Sequence, residues 1–219
     1  MQKKCVWLLL ALVLLPGASA STTASWQLYK NQRGVSVYYR DMGDKSFAVK
    51  GEVRVNNTTA ADFLALLSDT QVAPQWIENV AKIALIKMLS PSENLVYSYF
   101  DLPWPAIDRD AVTYSCYQQL SAQQSKLMIA SRPQQLPVNK GVIRINTLQA
   151  HWLLTAQGDD LIIVYQVYVL PGGDLPNWLN NKVGLKSTYK TLLNLRRILR
   201  TKQYQAVPPL IAAGSCPHG

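Results

Sequence analysis

The amino-acid sequence predicts an α+β domain in which a curved antiparallel sheet grips one long C-terminal helix. The middle of the chain alternates apolar and polar residues in short segments, and the breaks between them are rich in Pro, Gly, Ser, Asn and Gln. Strands joined by such short connections pair antiparallel. Residues 175–203 instead repeat apolar residues at spacings of three and four, which indicates a helix with one apolar face. Strand residues alone do not fill the concave side of such a sheet, so we expect an apolar cavity beneath the helix.

The N-terminus has the pattern of an export signal that is removed. Lys3 and Lys4 precede an unbroken apolar run at 6–15, which is too short to span a membrane as a mature helix. The small residues at 18–20 are those that a signal peptidase reads. We therefore predict a signal peptide at 1–20, cleavage after Ala20, and a periplasmic or secreted protein. An uncleaved membrane anchor is the alternative.

Residues 21–205 form one predicted domain, followed by a flexible C-terminal tail at 206–219. This length supports a large core, and no internal repeat or linker divides it. The whole chain carries a net charge of +9, which suits nucleic acid, an anionic membrane surface or no partner in particular. Because export argues against nucleic acid, we expect no nucleic-acid binding. We also expect a monomer.

Local patterns define the elements before the last helix. A short helix is predicted at 25–29, and Gly34 ends it. Two strands follow at 35–39 and 47–55, and turn and cap residues then open two helices at 60–67 and 73–77. The six further predicted strands are 82–89, 94–100, 111–118, 126–131, 142–155 and 161–169.

The last helix is the most periodic element. Pro176 stands in its first turn, where the missing N–H costs nothing. At 1.5 Å per residue the helix would be on the order of 40 Å long, enough to lie across a whole sheet. No acidic residue follows Asp174, and this one-sided charge favours contact with an anionic membrane over a merely solvated face. The cations are Lys182, Lys186, Lys190, Arg196, Arg197, Arg200 and Lys202.

Six segments, taken in order, resemble the START domain family. They are Trp26 with 31–38, Trp76, 102–105 with 108–112, 141–144 leading to Trp152, 171–173, and 175–180. The resemblance implies a helix-grip fold whose hydrophobic tunnel holds a sterol, phospholipid or other lipid, which the protein carries or senses without covalent chemistry. Some members keep a buried acidic–basic pair in the cavity, but residues 113–117, where the base would stand, carry no charge here. Either hydroxyl groups recognise the ligand head, or the cavity is more apolar.

Nine residues are predicted to bind the ligand. Four are tryptophans that either line the tunnel or pack the core, because each buries a large area. Arg109 either binds a head group or pins the Pro-rich turn to a neighbouring element. Arg144 opens a strand and points either into the cavity or to solvent. The nine are Trp76, Trp104, Trp152 and Trp178, then Leu179, Val183 and Tyr189 on the last helix, then Arg109 and Arg144.

No constellation of residues points to catalysis, a metal ion or a cofactor. His151 is the only plausible catalytic base, and no carboxylate lies near it in the sequence. No cluster of His, Cys and carboxylates has metal-ligand spacing. We therefore expect a binding protein rather than an enzyme. The alternatives are a helix-grip enzyme that uses His151, Glu78, Glu93 or Asp101, and an interaction protein whose own side chains fill the cavity.

The two cysteines outside the predicted signal are Cys116 and Cys216. An oxidising compartment permits a disulfide bond between them. Cys116 stands in a predicted strand and Cys216 in the predicted tail, so a buried free thiol at Cys116 is an equal alternative.

Overall fold

The computed structural model describes residues 25–42, 46–173, 177–205 and 211–216, without the side chains of residues 41, 47 and 177–181. The predicted signal peptide and the side chains of Trp178 and Leu179 lie outside the described residues. Within these ranges the strands and helices follow one another in this order: β1 Gln27–Gln32, β2 Val35–Asp41, β3 Phe47–Val55, α1 Ala60–Ser68, α2 Ala73–Trp76, β4 Val80–Ser90, β5 Glu93–Phe100, β6 Arg109–Gln119, β7 Gln124–Ser131, a 3-10 turn Pro133–Gln135, β8 Ile143–Arg144, β9 Thr147–Gln157, β10 Asp160–Leu170 and α3 Asn177–Leu199.

One sheet contains all the described strands, and its order is β1-β2-β3-β10-β9-β7-β6-β5-β4. Every pair along this path is antiparallel, as the short connections predict. The predicted strand 142–155 is broken in two. Its first part, β8, pairs parallel with β6 through Arg109↔Ile143 and Asp110↔Arg144. The break lies at Ile145 and Asn146, where the Ile145 N–H donates to the Asp110 carbonyl.

The predicted helix at 25–29 is wrong, because these residues start the first strand. β1 pairs with β2, and Gln32 lies opposite Val35 across a two-residue turn. Arg33 (φ 54°) and Gly34 (φ 69°) both adopt positive φ, which is the geometry of a tight β-hairpin. Five residues are too few for apolar spacing to separate a helix from a strand. Pairing with β2 decides the conformation.

The two short helices predicted after β3 are present as α1 and α2. The N-terminus of α1 carries a capping box in which the Thr59 hydroxyl accepts from the Asp62 N–H and the Asp62 carboxylate accepts from the Thr59 N–H. Phe63 and Leu66 on α1 are fully buried. On α2, Trp76 is 1% exposed.

The long helix α3 crosses the sheet over β2 and β3. Its 23 residues span about 35 Å at 1.5 Å per residue, shorter than the predicted 175–203. Leu192 and Leu195 are fully buried against the sheet. Gly51 on β3 permits this approach, because a Cβ atom there would lie 2.5 Å from Cδ1 of Leu192. No helix in the described ranges is long and apolar enough to cross a membrane.

The C-terminal segment 211–216 is attached to the sheet. A disulfide bond joins Cys116 to Cys216 across 100 residues of sequence, so the bridge and not the free thiol is present. The Ala212 N–H donates to the Pro91 carbonyl, and Ile211 is 7% exposed. The prediction of a flexible tail is therefore wrong for residues 211–216, because the bridge and these contacts hold them on the core.

Candidate ligand-binding cavity

The predicted apolar cavity is present on the concave side of the sheet. It consists of two adjoining chambers of about 210 and 240 Å³. The first chamber lies between the sheet and helices α1 and α2, and the second lies between the sheet and α3. The walls of both chambers share five residues, which are Ile77, Phe100, Leu148, Trp152 and Tyr165.

The first chamber has an apolar wall without charged residues. Alternate residues of β5, β6, β7 and β9 face it, so each of these strands presents one side to the chamber. Its polar groups are hydroxyls, one amide and the indole N–H of Trp76, and the Ser115 hydroxyl donates to the Asn94 side-chain oxygen at 2.6 Å. Thr113 and Ser115 therefore lie in the segment where some START members carry a charged residue and this chain carries none. Packing and hydroxyl groups are what this chamber offers a ligand.

Trp152 stands between the two chambers and is the centre of an aromatic cluster. Its ring lies 5.3 Å from Phe63, 6.3 Å from Trp76 and 4.3 Å from Tyr165, measured between centroids. Trp76 also lines the first chamber, and its buried indole Nε1–H has no hydrogen-bond partner. Since an indole N–H usually finds an acceptor when buried, Trp76 offers an unused donor to a ligand.

The second chamber lies under the N-terminal half of α3. Val183, Gly184, Ser187, Thr188 and Thr191 contribute the helix side of its wall. Val183, one of the predicted ligand-binding residues, therefore lies on this wall.

Two hydrogen bonds and an ion pair attach α3 to the segment between α2 and β4. The Glu78 N–H donates to the Thr191 hydroxyl at 3.0 Å, and Asn79 Nδ2 donates to the Ser187 hydroxyl at 2.7 Å. Lys190 forms an ion pair with Glu78. These contacts hold the helix over the second chamber.

Arg109 both pins a turn and lines the second chamber. Its guanidinium donates to the carbonyl of Ile107 and, at 3.1 Å, to that of Gly172. The residue is 2% exposed, and its Nε–H has no partner. Burial lowers the pKa of Arg109. The structure thus shows the pinning contact and also places the cation at the cavity wall.

Both predicted positions for Arg144 are wrong, because its side chain points neither into the cavity nor to solvent. It is buried against Asp110, with Nε to Oδ1 at 2.6 Å and Nη2 to Oδ2 at 3.0 Å. It also donates to the carbonyls of Pro133, Leu136 and Pro137. The hydrogen bonds to Asp110 raise the pKa of Arg144. Arg144 therefore fixes the connection from β7 to β8.

Two other predicted site residues lie away from the cavity. Trp104 is 92% exposed, so the expectation that it lines the tunnel or packs the core is wrong. It lies at the tip of the loop 101–108, which is held at its base by Asp108 and Arg109. Tyr189 packs toward the first hairpin, where Lys30 Nζ lies 4.2 Å from its ring centroid. Neither residue lines a chamber.

The candidate acid–base residues do not converge in the cavity. Ala150 and Trp152 both face the chambers, so His151 between them faces the other side of the sheet. Burial lowers the pKa of His151. Glu93 accepts hydrogen bonds from Tyr114 and Ser90, which lower its pKa.

Of the remaining candidates, Asp101 lies on neither wall, and Glu78 is paired with Lys190. Within the described ranges no group of His, Cys, Asp and Glu is arranged to hold a metal ion.

Tyr165 is a wall residue that the sequence reasoning missed. It separates the chambers beside Trp152, and burial strongly raises its pKa. The missed signal is the alternation along β10, because Tyr165, Val167 and Val169 all face the second chamber. The same alternation applied to Phe100 and Leu148 would have added two more wall residues.

A curved antiparallel sheet that grips a long C-terminal helix and encloses an apolar cavity defines the class of helix-grip proteins. The START domain family model matches residues 15–204. The chain therefore belongs to the START domain family, which is known for lipid binding and transfer.

Individual relatives agree with this assignment. The chain is 30% identical over 189 residues to an uncharacterised protein of Pseudomonas aeruginosa, covering 85% of this chain and 93% of that protein. It is 27% identical over 167 residues to human phosphatidylcholine transfer protein, covering 72% of this chain and 76% of that protein. A crystal structure of a STAR-related lipid transfer protein from Xanthomonas axonopodis has a TM-score of 0.73 and 32% identity, covering 80% and 98% of the two chains.

Proposed function

We propose that this protein binds one hydrophobic ligand, a sterol, phospholipid or other lipid, in the two-chamber cavity and carries it through water without covalent chemistry. The main observation that supports this proposal is the adjoining pair of apolar chambers beneath α1, α2 and α3. Removing apolar ligand surface from water supplies about 25 cal/mol per Å². The human relative with a lipid-transfer name supports the proposal by analogy.

The position of the candidate catalytic groups favours carriage over catalysis. General acid–base catalysis needs a group within hydrogen-bond reach of the substrate. His151 faces away from the chambers, and Glu78 is engaged by Lys190. The wall groups that remain, mostly hydroxyls and apolar side chains, suit binding.

We also propose that α3 meets an anionic membrane through one stripe of cations. Lys182, Lys186, Arg197 and Arg200 are exposed, and at 100° per residue they fall within about 60° of one another around the helix axis. Each cation near an anionic surface contributes about 1 kcal/mol. Lys190 is excluded from the stripe because of its ion pair with Glu78.

The exposed loop 101–108 lies on the same chamber as the N-terminal half of α3. On this loop Ile107 is 55% exposed and Trp104 is almost fully exposed. Leu102 and Ala106 of the same loop share the wall of the second chamber with Val183 of α3. A membrane that contacts the loop and the helix would therefore sit over the second chamber, where the ligand would enter and leave.

Export to the periplasm or outside the cell is a further part of the proposal. The signal pattern at 1–20 supports it, and so does the Cys116–Cys216 bond, because disulfides persist in oxidising compartments. Intact-mass analysis of the protein from its own host should show a chain that begins at Ser21. A retained Met1 in the membrane fraction would contradict export with cleavage.

A pair of matched substitutions tests the binding site itself. Ala150 is buried on the wall of the first chamber, and Ala130 on β7 lies on the opposite side of the sheet from its neighbour Ile129. Ala150→Phe should fill the chamber and abolish transfer of a fluorescent lipid between vesicles, while Ala130→Phe should leave it within about twofold, since surface changes are usually mild. Equal transfer by the two folded variants would contradict ligand binding in this cavity.

A further inference from the structure

Arg109 is a buried cation without an ionic partner in the described part of the chain. Its two hydrogen-bonded nitrogens donate to the neutral carbonyls of Ile107 and Gly172, and its Nε–H has no acceptor. Carbonyls satisfy hydrogen bonds but do not neutralise the charge. Burying a charge without a counter-charge is costly. Within the described residues the guanidinium therefore keeps one unused donor and forms no ion pair.

The described carboxylates near Arg109 form no ion pair with it, although the charge of Asp108 attracts it electrostatically. Asp108 accepts from the Tyr99 hydroxyl at 2.6 Å and from the Leu102 N–H at 3.1 Å. Asp110 forms its ion pair with Arg144.

Glu78, on the same chamber wall as Arg109, forms its ion pair with Lys190. The wall of the second chamber thus presents one positive charge that forms no ion pair with any described residue.

The surroundings of Arg109 strengthen its attraction for an anion. The chamber wall near it is apolar, with Ile145, Val167 and Val169 among its residues. Charge-assisted hydrogen bonds are strong in such surroundings because the local dielectric is low. The first chamber, in contrast, has no charged wall residue. The two chambers therefore differ in polarity as the two ends of an amphipathic lipid do.

We propose that the ligand is a single-chain acidic lipid whose carboxylate or phosphate head group accepts from Arg109 in the second chamber and whose hydrocarbon chain fills the first. This inference rests on the proposed function. The chamber volumes of about 210 and 240 Å³ together lie in the lower half of the usual pocket range of about 300–1,000 Å³, which suits one chain better than two. A zwitterionic head would bring a cation for which the wall holds no free carboxylate, and an uncharged sterol would leave Arg109 unpaired.

Three lipids with the same chain test the head group. Oleate, 1-oleoylglycerol 3-phosphate and monoolein are titrated into the delipidated protein by calorimetry. Both anionic lipids should bind at least about tenfold more tightly than neutral monoolein, as expected for a buried charge pair. Preference for only one of them would identify the head as carboxylate or phosphate. Equal affinity for all three would overturn the inference.

Substitution of Arg109 should remove this preference. Arg109→Gln should weaken the binding of the preferred anionic lipid by about tenfold or more and change that of monoolein less than about threefold. The matched control is Arg54→Gln, which removes a cation that is 48% exposed and lies in an ion pair with Asp160. The control should keep the preference, and its loss in both variants would point to a general effect of net charge and overturn the inference.

A measurement on the unchanged protein covers the case in which Arg109→Gln does not fold. Bound oleate labelled with ¹³C at the carboxyl carbon should titrate below the pKa of the same carboxyl group in unbound, monomeric fatty acid, because pairing with Arg109 favours the charged form. A bound carboxyl that titrates above that value would overturn the inference while leaving lipid binding intact. If none of the three lipids binds but a sterol or a two-chain phospholipid does, the inference fails and the proposed function stands; if no lipid of any class binds, the proposed function fails as well.

Discussion

The buried pair of Asp110 and Arg144 gives the most exacting test of the structure. The two side chains are 0% and 4% exposed, and they share two hydrogen bonds of 2.6 and 3.0 Å. Asp110→Asn removes the negative charge and leaves Arg144 buried and unpaired. Breaking such a pair costs about 3–5 kcal/mol, out of a total stability of about 5–15 kcal/mol. For a domain of this size the melting temperature should fall by roughly 6–20 °C.

Urea and thermal denaturation followed by circular dichroism measure this loss. The control is again Arg54→Gln, whose exposed ion pair with Asp160 contributes less than about 1 kcal/mol. At a temperature where Asp110→Asn is still folded, its lipid affinity should match that of the unchanged protein, because neither Asp110 nor Arg144 lines a chamber. A loss of stability no larger than that of the control would contradict a buried, stabilising ion pair between Asp110 and Arg144.

Three further predictions concern the tail, the sheet and the helix. Cys216→Ser should lower the free energy of unfolding by about 2–4 kcal/mol through loss of a crosslink over a long loop, measured by urea unfolding; an unchanged midpoint would show that the bridge does not stabilise the native state. Burial lowers the folded-state pKa of His151 below its ordinary 6.5, so protonation favours the unfolded chain and stability falls as pH drops below about 6.5; His151→Gln should flatten this fall between pH 7 and 5 and leave lipid affinity within about threefold, whereas an unaltered pH profile would contradict the assignment. Lys182→Glu with Lys186→Glu should slow lipid transfer to anionic vesicles at low salt, but not to neutral vesicles or at high salt. The control, Lys82→Glu with Lys87→Glu on β4, should leave transfer to anionic vesicles unchanged. Equal rates for the two double variants would show that the helix face is merely solvated.

Periodic signals predicted the parts of the fold that extend over many residues. The spacing of apolar residues along α3 and the series of short strands before it were sufficient to predict the architecture and an apolar cavity. The segment at 25–29 failed because five residues do not define a period, and its partner strand determined its conformation. The break between β8 and β9 also depends on a partner, since β8 pairs with β6.

The predicted site residues also differ according to whether they lie on a regular element or in a loop. Trp76, Trp152 and Val183 lie on the chamber walls, and each stands on a helix or strand whose regular geometry fixes its direction. Trp104 is the same residue type as Trp152, but it lies in a loop where no period gives a direction.

Arg144 was misplaced because its partner, Asp110, lies 34 residues away and no local pattern announces the pair. Contacts between segments that are far apart in the sequence could not be predicted from the sequence alone.

Native mass spectrometry of the protein purified from its own host shows whether the cavity holds a lipid. We predict a complex of one chain with one lipid, and a lipid that is recovered when the protein is extracted with organic solvent. The same purification of Ala150→Phe should give the chain without lipid. If the unchanged protein, correctly folded and with its Cys116–Cys216 bond intact, carries no lipid and takes none up from vesicles, the claim that the cavity is a lipid site is contradicted.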